Sequence, residues 1–181
     1  TLNVRQGRVT IGSSPFRSAY LLSHVLPLFR EKYPQIEVFL QEDNTHNLED
    51  RALHGIVDLS LSLLPINETL FDYDILFEEQ MLLALPPTHP IAQQLGLKAG
   101  DHSHLPTLSL QHLKEMTFIQ MNKGHKLHNM LHKLCEKAGF FPNVVLETES
   151  MTTAKALAGA GVGAALLPEP LVYANHFDKA P

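Results

Sequence analysis

Apolar and polar positions alternate in blocks that change period along the chain. Val9 and Ile11 open a short apolar run that stops at Gly12, Ser13 and Ser14 follow, and Leu22, Val25, Leu26 and Phe29 then recur at helical spacing. The pattern predicts a strand, a polar turn and a helix from about Ala19 to Tyr33, ended by Pro34, because the residue before a proline is pushed out of helical geometry. Pro27 kinks that helix or marks a late first turn. Ile36 to Gln41 reads as a second strand, Glu42-Asp43-Asn44-Thr45 as a second polar turn, and the stretch from Leu48 as a short helix stopped by Gly55. Val57 to Leu63, V-D-L-S-L-S-L, alternates as a third strand, one face on a helix layer and the other presenting Asp58, Ser60 and Ser62. Right-handed βαβ crossovers place such strands side by side and parallel.

From Asp72 the periodicity shortens to two apolar runs, Ile75-Leu76-Phe77 and Met81 to Leu85, expected as neighbouring edge strands. Pro86, Pro87 and Pro90 then break the chain, and the crossover between two domains is placed there, giving residues 1–85 and 86–181. Gln93 to His112 is expected to be an irregular connection. The second half repeats the order of the first. Met116 to Met121 is a strand, Asn122 to His125 a turn, Lys126 to Ala138 a helix stopped by Gly139, and Asn143 to Thr148 the next strand. Glu149 to Thr153 is another polar turn, Ala154 to Ala160 a helix capped by Gly161, and Gly163 to Leu167 a strand closed by Pro168. The expectation is an α/β protein with one similar lobe per half.

Composition narrows the function classes. With 181 residues, 44% hydrophobic and 18% charged, the chain is ordinary for a folded protein, and a net charge of −5 without a Lys/Arg run argues against its gripping nucleic acid itself. The single Cys135 excludes an internal disulfide, favours a reducing compartment and reads as core filler. No apolar segment reaches the ~18 residues a membrane span needs. Thr1 to Gly7 lacks the features of a signal peptide, and so abrupt a start suggests a cut-out domain or a processed product.

Four strand-to-helix turns carry small polar residues: Ser13-Ser14, Asn44-Thr45, Asn122-Lys123 and Ser150 with Thr152-Thr153. Each alone is explained by helix capping. Together, on two lobes whose strand ends face one another, they suit a shared cleft for a small anion, often a carboxylate. Arg17 and Lys123 are either counter-charges or surface cations. His125, His128 and His132 share a helical face, but zinc needs three or four converging ligands, so they read as a solvated face and no metal is expected. His102 and His104 fall in the irregular connection, and His89 reads as a turn residue. No nucleophile elbow, phosphate loop or dinucleotide fingerprint is present, and Gly159 to Gly163 reads as close packing and turn geometry, so no catalytic residue is assigned.

In order and spacing, several stretches resemble the effector-binding domain of LysR-type transcriptional regulators. They are Gly7 to Gly12, Tyr20-Leu21-Leu22, Leu26-Pro27 through Phe29, Tyr33 to Ile36, Leu53 with Gly55 to Leu59, Leu85-Pro86 with His89-Pro90, Phe118-Ile119, Ala158 to Gly163 and Leu167-Pro168. The resemblance implies two Rossmann-like subdomains in a type II periplasmic-binding-protein-like architecture, with a small-molecule effector in the inter-lobe cleft and no cofactor. It implies effector contacts at Ser13, Ser14, Asn44 and Thr45, at Gln120 and Asn122, and, facing them, at Ser150 and Thr152. It also implies a cytoplasmic homodimer or homotetramer that meets DNA only through a winged helix-turn-helix preceding Thr1. The first helix, with Leu21, Leu22 and Phe29, becomes a candidate for both effector and dimer contact. Family members continue past the last proline motif with strands and a helix that return to the first lobe, a segment missing after Asn175 to Pro181. The alternative is a free-standing solute-binding protein of a transporter, which needs a secretory signal; an enzyme of the same two-lobed fold ranks third.

Overall fold

The structure is a computed structural model that describes residues 7–100 and 103–173. The expectations placed on the chain start, on His102 and on Asn175 to Pro181 lie outside the described residues. The described chain forms two compact units, residues 7–77 and residues 78–173.

In the first unit, β1 (Gly7–Ser13) leads through α1 (Pro15–Arg17), a π-helical turn (Ser18–Leu22) and α2 (Ser23–Lys32) to β2 (Ile36–Glu42), followed by α3 (Thr45–Leu53) and β3 (Leu59–Ser60). The sheet order is β2-β1-β3, with both pairings parallel; Gly7 lies opposite Ile36 and Ser13 opposite Glu42. Ile11, Phe16, Leu22, Leu48 and Val57 are its buried apolar residues. The helix begins earlier than the apolar period suggests, at Pro15. Proline is suited to the first helical position, and Ser14 Oγ accepts from Arg17 N at 3.3 Å. Pro27 sits inside α2, and the irregularity falls nearer the N-terminus, where Ser23 N reaches back five residues to Ser18 O. Side chains serve the carbonyls this displaces: Ser23 Oγ donates to Ala19 O, and His24 Nδ1 lies 2.8 Å from Tyr20 O.

The third strand is shorter than expected. Only Leu59 and Ser60 pair, opposite Ile11 and Gly12, flanked by Asp58 N to Thr10 O at 2.9 Å and Leu61 N to Gly12 O at 2.8 Å. Beyond that point β1 has turned into α1, so Ser62 and Leu63 have no strand beside them. Asp58 does not face outward from the sheet either: its Oδ2 accepts Thr10 N at 2.7 Å.

The second unit comprises β4 (Met81–Ala84), α4 (Pro90–Gln94), a 3-10 helix (Leu110–Glu115), β5 (Thr117–Met121), α5 (Lys126–Lys137), β6 (Asn143–Thr148), α6 (Met151–Gly159), β7 (Ala165–Pro168) and α7 (Glu169–Tyr173). β5 pairs parallel with β6, and β4 pairs antiparallel with β7. A parallel bridge from Phe118 to Ala164 joins the two pairs, with Ala164 N donating to Thr117 O and Ile119 N to Ala164 O, both at 2.8 Å. Leu113, Met116, Phe118, Leu131, Cys135 and Ala164 form the core.

The expected pairing of Ile75–Phe77 with Met81–Leu85 is not made. Ile75 and Leu76 are exposed and outside any strand, whereas Met81 lies opposite Pro168 and Ala84 opposite Ala165. The division between units therefore falls after Phe77, before the proline cluster, because β7 draws β4 into the second unit. Part of the supposedly irregular connection is helical at α4, where His89 is a capping turn residue whose Nδ1 accepts Ile91 N at 3.2 Å. The helix expected from Ala154 starts at Met151, because Ser150 caps it by accepting Thr153 N at 3.1 Å.

The glycine run after α6 is a matter of turn geometry and close packing. Gly161 has φ of +87°, and a Cβ on Gly163 would stand 3.1 Å from Thr117 O and 3.3 Å from Val145 Cγ2. Thr117 O is held by Ala164 N and cannot withdraw freely. Gly163→Ala is expected to lower unfolding free energy by about 1–3 kcal/mol in urea titrations. Cys135 is fully buried, and burial pushes its thiol above the ordinary 9.0. The folded chain therefore holds the proton where the unfolded chain releases it, and stability should fall as pH rises past 9.0, a slope that Cys135→Ala removes. The native thiol should also be unreactive to Ellman's reagent at about pH 8 and react fully in urea.

Candidate functional site

A parallel strand ends where the next helix begins, so each strand-to-helix turn presents helix-start amides at one edge of the sheet. In the first unit the register that sets Ser13 opposite Glu42 brings two such turns together, joined by Asp43 N donating to Ser13 O at 3.3 Å. Ser14 caps α1. Asn44 caps α3, its Oδ1 accepting Asn47 N at 3.0 Å, and Thr45 is the first residue of that helix. Ser14, Asn44 and Thr45 are half-buried. Ser13 is fully buried, its Oγ donating to Ser14 O at 3.2 Å, so its hydroxyl braces the turn.

In the second unit, Gln120 lies opposite Glu147 and Met121 opposite Thr148, which gathers the other candidates at the end of β5 and β6. Asn122 N donates to Thr148 O at 3.0 Å, and Asn122 Nδ2 donates to Glu149 Oε1 at 3.4 Å. Ser150 and Thr152 are exposed, Ser150 as the cap of α6 and Thr152 within its first turn. Capping thus accounts for Ser14, Asn44 and Ser150; α5 instead begins after His125, leaving Asn122 outside it.

Gln120 is buried and its amide is engaged at both ends. Nε2 donates to Glu147 Oε1, which places Oε1 3.0 Å from His132 Nε2. An amide oxygen only accepts, so a hydrogen bond between Gln120 Oε1 and His132 Nε2 requires the proton on that nitrogen. His128 stacks on His132 with ring centroids 4.6 Å apart, and its Nδ1 lies 2.9 Å from Met121 O. The two histidines are therefore not a solvated face; they are half-buried and tie α5 to β5 beside the apolar contacts of Leu127, Leu131 and Cys135. Among the described residues no three His, Cys, Asp or Glu side chains gather as a metal site.

Sequence reasoning missed the groups that hold these turns. Arg51 reaches Gln41 Oε1 at 2.9 Å and Asp43 Oδ2 at 2.8 Å, while Asp43 Oδ1 accepts both Asn44 N and Asn47 Nδ2 at 2.8 Å. These partners are separated by eight and ten positions, so no short motif announces them. Ser18 Oγ, buried and without a hydrogen-bond partner, is a further polar group close to the first turn. Arg17 is buried, which removes the surface-cation alternative for it, and Lys123 is exposed. A groove of about 1040 Å³ runs between α2 and β2, its lining including apolar Leu22, Leu26 and Phe39 and charged Arg30, Glu31 and Glu37. It lies along the sheet edge and does not include the turn residues.

Residues 3–178 match the family model described as LysR substrate binding domain. Among known relatives, the transcriptional dual regulator GltC of Bacillus subtilis strain 168 is 31% identical over 169 residues, covering 93% of this chain and 53% of that protein. The chain spans about half the length of the curated relatives it matches. Among solved structures, the Synechocystis PCC6803 CcmR regulatory domain in complex with 2-PG is similar with a TM-score of 0.78 at 22% identity, covering 94% of this chain and 76% of that one. The effector-binding domain of QuiR in complex with shikimate gives 0.77 at 15% identity, covering 91% and 75%. These likenesses show the fold, two α/β units of the type II periplasmic-binding-protein-like class.

The Gln120 clamp has a measurable energy. His132→Ala leaves a buried amide oxygen without its donor and is expected to destabilise by about 1–3 kcal/mol. Gln120→Leu should cost less in the His132→Ala background than in the parent, giving a coupling of roughly 1 kcal/mol in a double-mutant cycle read by urea unfolding.

Proposed function

The chain belongs to the LysR substrate-binding domain family, and on that premise we propose that it is the effector-sensing part of a larger transcription regulator, binding a small polar metabolite, in the first instance a carboxylate. The observation that carries this reading is the convergence, within each unit, of two strand-to-helix turns at the carboxyl ends of adjacent parallel strands, both capped by side chains in the first unit and one, at Ser150, in the second. Such turns offer backbone donors, hydroxyls and amides suited to an anion. Ser14, Asn44 and Thr45 are the effector contacts proposed in the first unit, and Asn122, Ser150 and Thr152 those proposed in the second. Ser13 and Gln120, buried as they are, would support their neighbours. Conformations that differ in affinity for the effector would be its means of control.

The chain would meet DNA only through a separate domain and work in the cytoplasm as a homodimer or homotetramer, without catalysis. The groove between α2 and β2 supports a second copy as its occupant: no residue of α2 is buried, and Phe39 and Leu40 are exposed on the edge strand. The solute-binding alternative is disfavoured because the relatives it matches are transcriptional regulators.

A thermal-shift screen of small organic acids, with shikimate included, is expected to raise the melting temperature for at least one. Calorimetry should then find Ser14→Ala and Thr45→Ala each binding that acid roughly three- to tenfold more weakly, the loss of one hydrogen bond apiece. Affinities equal to the parent's in both variants would overturn the site assignment.

A further inference from the structure

Resting on the reading of the Asn44-Thr45 turn as an effector contact, we propose that Arg51 is the positioning residue of that turn and the group that neutralises Asp43 within it. The guanidinium uses separate nitrogens for separate partners, Nη1 for Gln41 Oε1 at 2.9 Å and Nη2 for Asp43 Oδ2 at 2.8 Å. It thereby ties the last turns of α3 to the end of β2. Asp43 passes the restraint on: its Oδ1 takes Asn44 N and Asn47 Nδ2, both at 2.8 Å, and Asn44 Oδ1 takes Asn47 N at 3.0 Å. One cation therefore sets both the backbone and the side-chain donors at the start of α3.

Charge gives the arrangement a second consequence. An unpaired Asp43 carboxylate beside Asn44 would oppose any anion approaching Thr45, and Arg51 removes that penalty without offering its own charge to the ligand. Lysine cannot substitute fully, because one ammonium lacks the planar fork that reaches both acceptors. The pair is partly exposed, with side chains 32% and 24% accessible, and pairs of that kind contribute little to global stability. Loss of Arg51 is therefore expected to act on the turn far more than on the fold.

Hydrogen exchange and shikimate titration followed by NMR on the whole chain test this. In Arg51→Gln, exchange of the Asn44 and Asn47 amides should accelerate at least tenfold while the melting temperature stays within about 3 °C of the parent. Shikimate affinity should fall at least tenfold; Arg51→Lys should fall between the two. Asp43→Asn in the Arg51→Gln background should recover most of the affinity, because the opposing charge has gone. Unchanged protection of Asn44 and Asn47 would overturn the proposal, as would shikimate binding that Arg51→Gln weakens and the double variant fails to recover. Faster exchange in Arg51→Gln, with shikimate binding indifferent to both Arg51→Gln and Thr45→Ala, would support Arg51's hold on the turn and overturn the effector reading instead.

Discussion

The parallel register of β1 with β2 is the constraint on which the first unit depends. A single residue of slip would turn every side chain to the opposite face and separate the two caps, because side chains alternate along a strand. With Gly7 opposite Ile36 and Ser13 opposite Glu42, both strands end together, and the chain has no choice but to start two helices at the same edge. The second unit reaches the same result through β5 and β6, although a register shift between Phe118 and Ile119 adjusts the pairing on the way.

Periodicity made the strands and long helices legible because those elements bury one face and leave the other wet. β6 and the end of α5 lie where the pattern places them, and Gly139 follows the helix as a stop. Failures occur where partner choice, not local preference, decides. Val57 to Leu63 alternates like a strand, but only two residues find β1 alongside. Ile75 to Phe77 is as apolar as Met81 to Leu83, yet only the latter has a strand to meet, at the far end of the chain. A sequence shows that a segment suits a sheet; it does not show which edge is vacant.

The candidate turns were visible as small polar residues after strands, and their capping contacts follow from that. Their supports were not visible. Gln120 looks like an exposed strand-end amide and is instead clamped between Glu147 and His132, while Arg51 looks like an ordinary helix cation and spans two acceptors. Each unit carries side-chain hydrogen bonds beside its turns, from Arg51 to Gln41 and Asp43 in the first and from Gln120 to Glu147 in the second. The fastening differs in kind: half-exposed and ionic in the first unit, and in the second centred on a buried neutral amide.

The π-helical turn at Ser18–Leu22 has a consequence for how such a chain diversifies. A π turn holds one residue more than an α-helical turn would, so it is the place where a helix absorbs or sheds a residue without breaking. Removing that residue would rotate α1 by about 100° relative to α2, since each residue of an α-helix turns through that angle. The end of the helix beside Ser14 and the face lining the groove with β2 can therefore drift apart over generations, each retuned while the other is kept.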